Sequence, residues 1–174
     1  LPSRGEILDA IKAGARKKPN GGAGRDRITW GLLYEMMPYL GESLIEVIHI
    51  VWVLEAVPRF WAHDKLITIV KDETKPEDDP NNLRPIFLQC VPFKVMDRVV
   101  DKRLQDWISS KAVLEPEQGG FVCKRGTNEQ SFALNEIACV LARSKKPLYA
   151  AFLDATKAFD RVNRHMLFQK LFEK

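Results

Sequence analysis

The sequence predicts an α+β fold that is mostly helical, with one β-hairpin and one further strand. Apolar residues recur at helical spacing along several segments, so helix is expected to dominate. A short β-branched run at residues 66–70 and an extended segment at residues 83–88 flank a polar loop that contains prolines, and together they predict the hairpin. A third apolar run, residues 148–153, ends at an aspartate and predicts a buried strand.

The N-terminal part of the chain is predicted to contain three helices. Ser3 and the glutamate three residues later have the spacing of a capping box, and the helix they start should stop before Pro19. Residues 20–26 contain three glycines and predict a loop. Thr29 is positioned to cap a second, short helix, and Gly41 precedes the apolar periodicity of a third.

The later helices have start signals of their own. Pro92 precedes an apolar stripe that predicts a helix of about four turns. Thr127 and Gln130 have the spacing of a second capping box, and Asn163 can cap a last helix. That last helix is still running at Lys174, so we expect the chain to be cut from a longer protein.

Composition places the chain among ordinary globular proteins. It has 174 residues, of which 45% are hydrophobic and 29% charged. Cys90, Cys123 and Cys139 are far apart and predict free thiols, which suits a nuclear or cytoplasmic location. No unbroken apolar run approaches the ~20 residues that span a bilayer, so no membrane partner is expected.

The positive charge of the chain is only a weak indication of its partner. The net charge of +4 fits a polyanionic partner, but an excess this small is also common. Five basic residues surround the glycine-rich loop: Arg16, Lys17, Lys18, Arg25 and Arg27. On a later helix, Lys94, Arg98 and Lys102 share one face, where interleaved aspartates favour internal ion pairs about as strongly as nucleic acid.

The predicted strand 148–153 delivers a carboxylate, Asp154, at its end, and a turn then leads to the last helix. Nucleotidyl transfer needs carboxylates on rigid elements, because two divalent ions must lie about 3.5–4 Å apart. An aspartate that simply starts a turn after a strand is the ordinary alternative. The surrounding motifs decide between these two interpretations.

The segment Phe152-Leu153-Asp154, followed by residues 157–162 with the sequence Lys-Ala-Phe-Asp-Arg-Val, resembles the first catalytic motif of non-LTR (LINE-type) retrotransposon reverse transcriptases. Upstream segments resemble further motifs of that family in the same order. These are residues 24–28 with Pro58 and Trp61, residues 81–86, Lys94 with Arg103-Leu104, and residues 118–121 with Arg125 and Gln130. Leu83 replaces the aromatic residue that is usual in the second of these motifs.

The resemblance implies a truncated right-hand polymerase fold. Residues 1–65 would form an N-terminal helical extension with a template-side loop, and residues 66–145 the fingers. Residues 146–174 would start the palm with its first catalytic aspartate. The palm strand at residues 148–153 would pair with a catalytic hairpin that the sequence does not contain.

The resemblance also implies roles at the start of the palm. Asp154 would ligate both metal ions, and the carbonyl of Ala155 would be a second, backbone ligand. Phe159 would lie under the incoming sugar and exclude a ribose 2′-hydroxyl, although a core phenylalanine is an alternative. Asp160 would brace the turn through hydrogen bonds.

On the fingers, Lys71 and Arg84 would contact the triphosphate of the incoming nucleotide. Lysine and arginine on opposed strands can neutralise the charge that develops on the leaving pyrophosphate. The alternative is that both are solvated charges of a hairpin. For Arg84, which the following proline restricts, the functional interpretation is favoured.

Template contacts are implied in two loops. Gln118, Gly119, Gly120 and Phe121 would approach the template strand, and Arg125 would meet a phosphate. Arg25 and Arg27 would make salt-sensitive contacts from the loop at residues 20–27. A flexible, solvated loop is the rival interpretation there.

The implied partners are an RNA template, a DNA primer, deoxynucleoside triphosphates, and the rest of the polymerase or a self-association partner. The implied cofactor is Mg²⁺ or Mn²⁺. The family needs two further aspartates on an aromatic-Ala-Asp-Asp hairpin, and no Asp-Asp pair follows Asp154. The pair Asp78-Asp79 lies in the upstream loop, so the chain alone is expected not to extend a primer.

Three classes of function remain at this stage. The first is a fragment of an RNA-directed DNA polymerase. The second is a truncated or domesticated retroelement remnant that acts as a non-catalytic RNA-binding or structural module. The third is an unrelated metal-dependent nuclease or phosphotransferase, which the ordered motifs argue against. Retention of Arg84, Asp154 and Phe159 favours the first class.

Overall fold

A computed structural model describes residues 1–123, 125–156 and 158–173. Its elements in chain order are α1 (Arg4–Lys17), α2 (Trp30–Leu54), β1 (Lys65–Val70), a 3-10 turn (Pro80–Asn82), β2 (Leu83–Leu88), α3 (Val91–Lys111), α4 (Thr127–Arg143) and α5 (Arg164–Glu173). The α+β class, mostly helical with one antiparallel hairpin, is confirmed.

The chain divides into two compact units, Leu1–Trp107 and Ile108–Lys174, and the division falls within α3. The predicted boundaries after residues 65 and 145 separate functional regions of a polymerase, not compact units, so they stay predictions.

The first unit has a continuous apolar core. The predicted capping box at Ser3 forms and starts α1, whose Ile7 and Ile11 are fully buried. Ile48 from α2 and Val95 from α3 join them in the same cluster. Three helices therefore contribute to one core, which gives the unit a packed interior of its own.

Helix α2 corrects the prediction of two separate helices. Thr29 caps it as expected, with its hydroxyl accepting from the Leu32 amide at 3.2 Å. The helix then runs for 25 residues through Pro38. Proline lacks an amide proton and disfavours a helix interior. Burial of Leu33 before it and Ile45 after it offsets that cost, because both face the core.

By length and composition, α2 is also able to cross a membrane, with a mean hydropathy of 1.3. Scattered glutamates interrupt α2 without making it polar, so it contains no long unbroken apolar run. Core helices of soluble proteins pass the same test. The expectation that the protein has no membrane partner therefore stays a prediction.

The hairpin forms where the sequence predicts it. Strands β1 and β2 are antiparallel, with Ile67 opposite Ile86. Asn82 organises the connecting loop and is only 3% exposed. Its amide donates to the carbonyls of Asp72 at 2.9 Å and Pro76 at 3.2 Å, and its oxygen accepts from the Asp72 amide at 3.0 Å. One buried side chain thus provides hydrogen-bond partners for backbone groups at two positions of the loop, Asp72 and Pro76.

Helix α3 begins at Val91 and has 21 residues, which is longer than predicted. Its Arg103 binds Glu6 of α1 with both arms, at 2.7 and 3.0 Å, and stacks over the Trp52 ring of α2 at 5.4 Å. The hydrogen bonds from Arg103 lower the pKa of Glu6 to about 2. Arg103, which the family resemblance singled out, therefore links all three helices of this unit.

The second unit differs from prediction at its first helix. Gly126, not Thr127, is the N-cap residue of α4, and no side chain caps that end. The predicted capping box is therefore wrong. The reason is the position of Gln130, whose side chain packs on Gly119, so close that a Cβ there would lie 2.3 Å from its amide nitrogen. At α5 the prediction is confirmed, since Asn163 accepts from the Met166 amide at 3.1 Å.

The predicted palm strand at residues 148–153 is wrong for this structure. Among the described residues, only β1 and β2 pair as strands. An extended segment without a partner leaves its backbone groups to water, so it has no ladder to hold it. The side chains of Tyr149 and Phe152 are 88% and 84% exposed, so the segment is not buried either. It runs instead as irregular, exposed chain.

Candidate functional site

The hairpin brings Lys71 and Arg84 to one face. Arg84 lies opposite Ile69, and Lys71 follows Ile69 by two residues, so all three side chains share the same side of the ribbon. The Lys71 amide donates to the Asn82 carbonyl at 2.8 Å and extends the strand pairing by one step. Backbone hydrogen bonds thus fix the backbone positions of the two residues relative to each other.

Both cationic side chains are exposed, which suits contact with a soluble anion. The Lys71 ammonium donates to the Asn81 carbonyl at 2.8 Å and is therefore held at the turn end of the hairpin. Arg84 presents a planar guanidinium that matches phosphate oxygens in geometry. The arrangement can therefore bind a polyphosphate across the end of the ribbon.

The glycine-rich loop before α2 lies against the base of β2. Gly24 is buried, and a Cβ on it would lie 2.6 Å from the Cys90 amide nitrogen and 2.7 Å from the Gln89 carbonyl oxygen. No larger residue fits there without moving backbone. The loop is therefore packed on the two residues that directly follow β2, which argues against a loose, solvated loop.

Lys94 holds the same loop from α3. Its ammonium donates to the Gly22 carbonyl at 2.9 Å. The Arg27 amide closes a turn on the Gly24 carbonyl at 3.2 Å, with Arg27 itself at a φ of 57°. Arg25 and Arg27, the two predicted template contacts, remain exposed on this anchored loop.

Sequence reasoning missed the pairing of Asp26 with Cys90. Asp26 caps its own turn by accepting from the Ile28 amide at 3.2 Å. Its second carboxylate oxygen is buried and has no hydrogen-bond partner among the described residues. Burial raises the pKa of the Cys90 thiol, and the negative charge of Asp26 adds to the rise. The spacing of the two residues along the chain gives no signal of this contact.

The basic face of α3 proves to be internally paired. Lys94 binds the loop, Arg98 stacks over the Trp30 ring at 4.8 Å, and Lys102 binds Asp106 at 2.5 Å. Internal partners therefore account for this face, and nucleic acid is not needed to explain it. Trp30 is buried in the core.

The predicted template loop after α3 is braced by its own residues. One nitrogen of Arg125 donates to the carbonyls of Pro116 and Gln118, the latter at 2.9 Å. The Gln118 amide donates to the Gly120 carbonyl at 3.0 Å. These bonds bring the predicted residues into one compact loop. The predicted phosphate contact of Arg125 stays a prediction.

Phe121 stands out from that loop. Its φ is 60°, an uncommon conformation for a bulky residue, and its side chain is 89% exposed. Its neighbour Gly119 is in contact with Gln130, as described above. An exposed ring on a braced loop is suited to stacking on an unpaired base.

Asp154 and Ala155 lie on irregular, exposed chain. Phe159 is 83% exposed, so it is not part of a core within the described residues, and both of its predicted roles stay predictions. Asp160 is also exposed, and Lys157 of the same motif lies outside the described residues.

The described residues contain no group of three His, Cys, Asp or Glu side chains that could hold a metal ion. One carboxylate and one carbonyl are too few ligands for a pair of divalent ions. The two predicted ligands, Asp154 and the Ala155 carbonyl, therefore do not by themselves make up a two-metal site.

The predicted site residues are divided between the two units. Arg25, Arg27, Lys71 and Arg84 belong to Leu1–Trp107. The remaining ones belong to Ile108–Lys174: Gln118, Gly119, Gly120, Phe121, Arg125, Asp154, Ala155 and Phe159.

Residues 71–174 match a family model described as reverse transcriptase (RNA-dependent DNA polymerase). The match begins at Lys71 and includes the end of the hairpin, the braced loop and the segment around Asp154.

Proteins of Drosophila melanogaster mobile elements are similar to the chain. The probable RNA-directed DNA polymerase from transposon BS is 28% identical over 166 residues, which is 95% of this chain and 18% of that protein. The RNA-directed DNA polymerase from mobile element jockey is 31% identical over 105 residues, covering 60% and 11%. The chain thus spans less than a fifth of these relatives. No solved structure matches it.

Proposed function

Since the chain belongs to the reverse transcriptase family, we propose that it forms the part of an RNA-directed DNA polymerase that binds the template and the incoming nucleotide. The observation that carries this proposal is the register of the hairpin, which sets Lys71 and Arg84 on one face at the start of the matched region. The predicted resemblance to non-LTR retrotransposon reverse transcriptases is confirmed by the mobile-element relatives. It leaves the unrelated nuclease or phosphotransferase without support.

In this proposal the chain is a portion of a right-hand polymerase. The hairpin and the helices after it, residues 66–145, act as fingers, and residues 146–174 start the palm. The anchored loop before α2 belongs to an extension on the template side. The palm segment would gain a partner strand in the complete enzyme, which accounts for its irregular course and exposure here.

The hairpin would act on the triphosphate. Arg84 would bind phosphate oxygens with two parallel hydrogen bonds, and Lys71 would add a point charge from the turn. Negative charge grows on the leaving pyrophosphate during nucleotidyl transfer, so fixed cations on this face would stabilise the transition state more than the ground state.

The template would be held by two loops. Phe121 would stack on a base while the backbone of Gly119 and Gly120 allows close approach. Arg25 and Arg27 would neutralise phosphates without reading sequence. The primer would enter with the template, in the nucleus or the cytoplasm.

Asp154, with the Ala155 carbonyl, would supply part of a Mg²⁺ or Mn²⁺ site in the complete polymerase. A divalent ion bound there would supply positive charge to stabilise the charge that develops during nucleotidyl transfer. Phe159 would select against a ribose 2′-hydroxyl. The further carboxylates would come from the rest of the polymerase or from a self-associated copy, since no aspartate follows Asp160 in this sequence.

Nucleotide binding by the 174-residue chain tests the hairpin assignment. Titration with a fluorescent deoxynucleoside triphosphate should show weak binding that Arg84→Ala reduces by about tenfold or more, which is the weight of one charged hydrogen-bonding partner. Arg84→Lys should retain part of the affinity. Lys75→Ala is the matched control. Lys75 is an exposed cation of the loop between β1 and β2 and is paired with Asp72 at 3.4 Å.

Equal affinities of wild type and Arg84→Ala would contradict the assignment. A primer-extension assay tests the metal argument separately. The chain alone should give no extension, with or without Asp154→Ala. Extension that Asp154→Ala abolishes would refute the statement that one carboxylate is insufficient.

A further inference from the structure

Helices α1 and α2 border a groove of about 520 Å³ that the proposed function does not use. Lys12 and Arg16 line it from α1, and Tyr34 and Glu35 line it from α2. All four belong to the packed first unit and are exposed. The groove therefore combines two cations and an aromatic ring on a stable framework.

Close packing of the two helices sets the geometry of the groove. Gly14 of α1 is buried against Trp30 of α2, where a Cβ would lie 2.3 Å from the indole ring. The Gly31 amide donates to the Pro19 carbonyl at 2.9 Å and closes one end. The groove walls are thus held by core packing and a backbone hydrogen bond.

Seven other cations of the unit have side-chain partners within the protein. These partnered residues are Arg4, Lys71, Lys75, Lys94, Arg98, Lys102 and Arg103. Within the part of the chain that the structure describes, Lys12, Arg16 and Tyr34 have no hydrogen bond, ion pair or ring contact through their side chains. They are therefore available to a ligand without breaking a native contact.

A structural role for the helix end does not explain the whole set. Arg16 and Lys17 lie in the last turn of α1, where cations interact favourably with the helix dipole. That account does not extend to Tyr34, whose ring is 48% exposed in the same groove. Glu35 opposes the two cations with one negative charge, but Lys17 and Lys18 continue the positive surface beyond Arg16.

We propose that this groove binds single-stranded nucleic acid, with Lys12 and Arg16 on phosphates and the Tyr34 ring stacked on a base. Lysine and arginine four residues apart project from one face of a helix and can contact neighbouring phosphates. An exposed aromatic ring beside them can stack only on a base that is not paired. The inference rests on the proposed function only in taking nucleic acid as the partner.

Fluorescence anisotropy with a labelled single strand of about 12 nucleotides tests the groove in the 174-residue chain. The variant K12Q/R16Q should weaken binding by about tenfold and lower the slope of log affinity against log salt by about 1.4, which is 0.7 for each phosphate contact. RNA, DNA and duplex forms of the same sequence serve as separate arms. Both single strands should bind more tightly than the duplex.

The aromatic contribution has a different signature. Tyr34→Ala should weaken binding by about fivefold or more and leave the salt slope unchanged, because stacking releases no counterions. Tyr34→Phe should restore the affinity, since it keeps the ring. Loss of binding with Tyr34→Phe, or a changed slope with Tyr34→Ala, would contradict a stacking role.

A matched control removes the same charge elsewhere. K145Q/K146Q changes two exposed lysines after α4 and should leave the affinity and the slope nearly as in wild type. If this control weakens binding as much as K12Q/R16Q, or if K12Q/R16Q has no effect, the groove is not the site. Competition by poly-glutamate that equals competition by the oligonucleotide would also overturn the proposal, in favour of an acidic peptide.

The outcome for the groove can be separated from that for the hairpin. K12Q/R16Q should retain the deoxynucleoside triphosphate affinity of wild type, whereas Arg84→Ala should lose it. Retained triphosphate binding with no contribution of the groove to nucleic acid would refute this inference and leave the proposed function in place.

Discussion

The two compact units of this chain differ most in what they bury. Leu1–Trp107 encloses a core in which Ile7, Ile48 and Val95 have no exposed surface. From residue 108 to residue 173, no described residue is buried. Yet helices form in both units, each where the sequence places apolar periodicity. Local pattern therefore suffices to specify a helix, whereas burial needs a complementary surface.

The exposed side chains of the second unit show what such a surface would cover. Phe132 and Ile137 on α4 are 66% and 51% exposed, and Phe168 and Phe172 on α5 are 57% and 90% exposed. Large apolar side chains exposed in this number are typical of an interface. We expect the second unit to obtain its core from another surface, either the rest of a polymerase or a second copy.

The sharpest test of the comparison uses the same substitution in both units. Ile48→Ala should cost about 2–5 kcal/mol of unfolding free energy, because it removes fully buried methyl groups and leaves a cavity. Ile137→Ala, at an exposed position of α4, should change stability by no more than about 0.5 kcal/mol. Urea unfolding followed by tryptophan fluorescence measures the first unit, since all four tryptophans lie in it.

Similar losses for the two isoleucine variants would mean that α4 has a core of its own. For Ile137→Ala, hydrogen exchange of the α4 amides provides a readout within the second unit, where tryptophan is absent from the sequence.

A second test compares one loop from each unit. Asn82→Ala should destabilise the hairpin loop by about 1–3 kcal/mol, because it leaves buried carbonyls and an amide without partners. Arg125→Ala should cost less, since that side chain is exposed and water can replace its bonds. Amide exchange near Asp72 and near Gln118 measures each loop. The exposed Asn81 provides the control variant Asn81→Ala.

A third test concerns self-association. Sedimentation at high concentration should show species larger than a monomer, because the second unit exposes apolar surface. F168S/F172S should weaken that association by about tenfold, or about 1.4 kcal/mol. Tyr39→Ser, at an exposed aromatic residue of α2 in the other unit, should have little effect. A clean monomer at high concentration would contradict the expected interface.

The smallest expected effect lies in the first unit, at an exposed ion pair. The bound Arg103 lowers the pKa of Glu6 to about 2, below its ordinary value near 4.5. The stabilising contribution of Glu6 is therefore present above pH 4.5 and is lost as the pH falls towards 2. Glu6→Gln should flatten the pH dependence of the urea midpoint in that window. Glu42→Gln, which removes an exposed partner of Arg4, is the control.

Several parts of the fold were predictable from local signals. The capping box at Ser3 and the cap at Asn163 form because they need only neighbouring residues. The hairpin forms as expected from a β-branched run, a proline-containing loop and an extended segment, whereas its register is supplied by the structure. In each of these features the interacting residues lie close together in the sequence, so the local sequence pattern is enough to predict the contact.

The misses all involve contacts between distant segments. Pro38 is accommodated within α2 because its neighbours pack on other helices, which propensity alone does not show. The strand at residues 148–153 has no partner among the described residues, so its apolar pattern does not suffice. Gln130 packs on Gly119 instead of capping α4. The anchors of the glycine-rich loop, Lys94 and Gly24, are likewise invisible in a linear pattern.

The three free cysteines make the difference in burial between the units measurable as a difference in the rate of thiol labelling. Cys90 is fully buried, and burial raises its pKa, so its thiol stays protonated and shielded while the first unit is folded. Cys123 is exposed and Cys139 partly so. A thiol reagent should therefore label Cys123 at once and Cys90 only at the rate at which the core opens. The chain therefore carries a native cysteine probe in each unit, and mass spectrometry of samples taken at increasing labelling times measures both labelling rates.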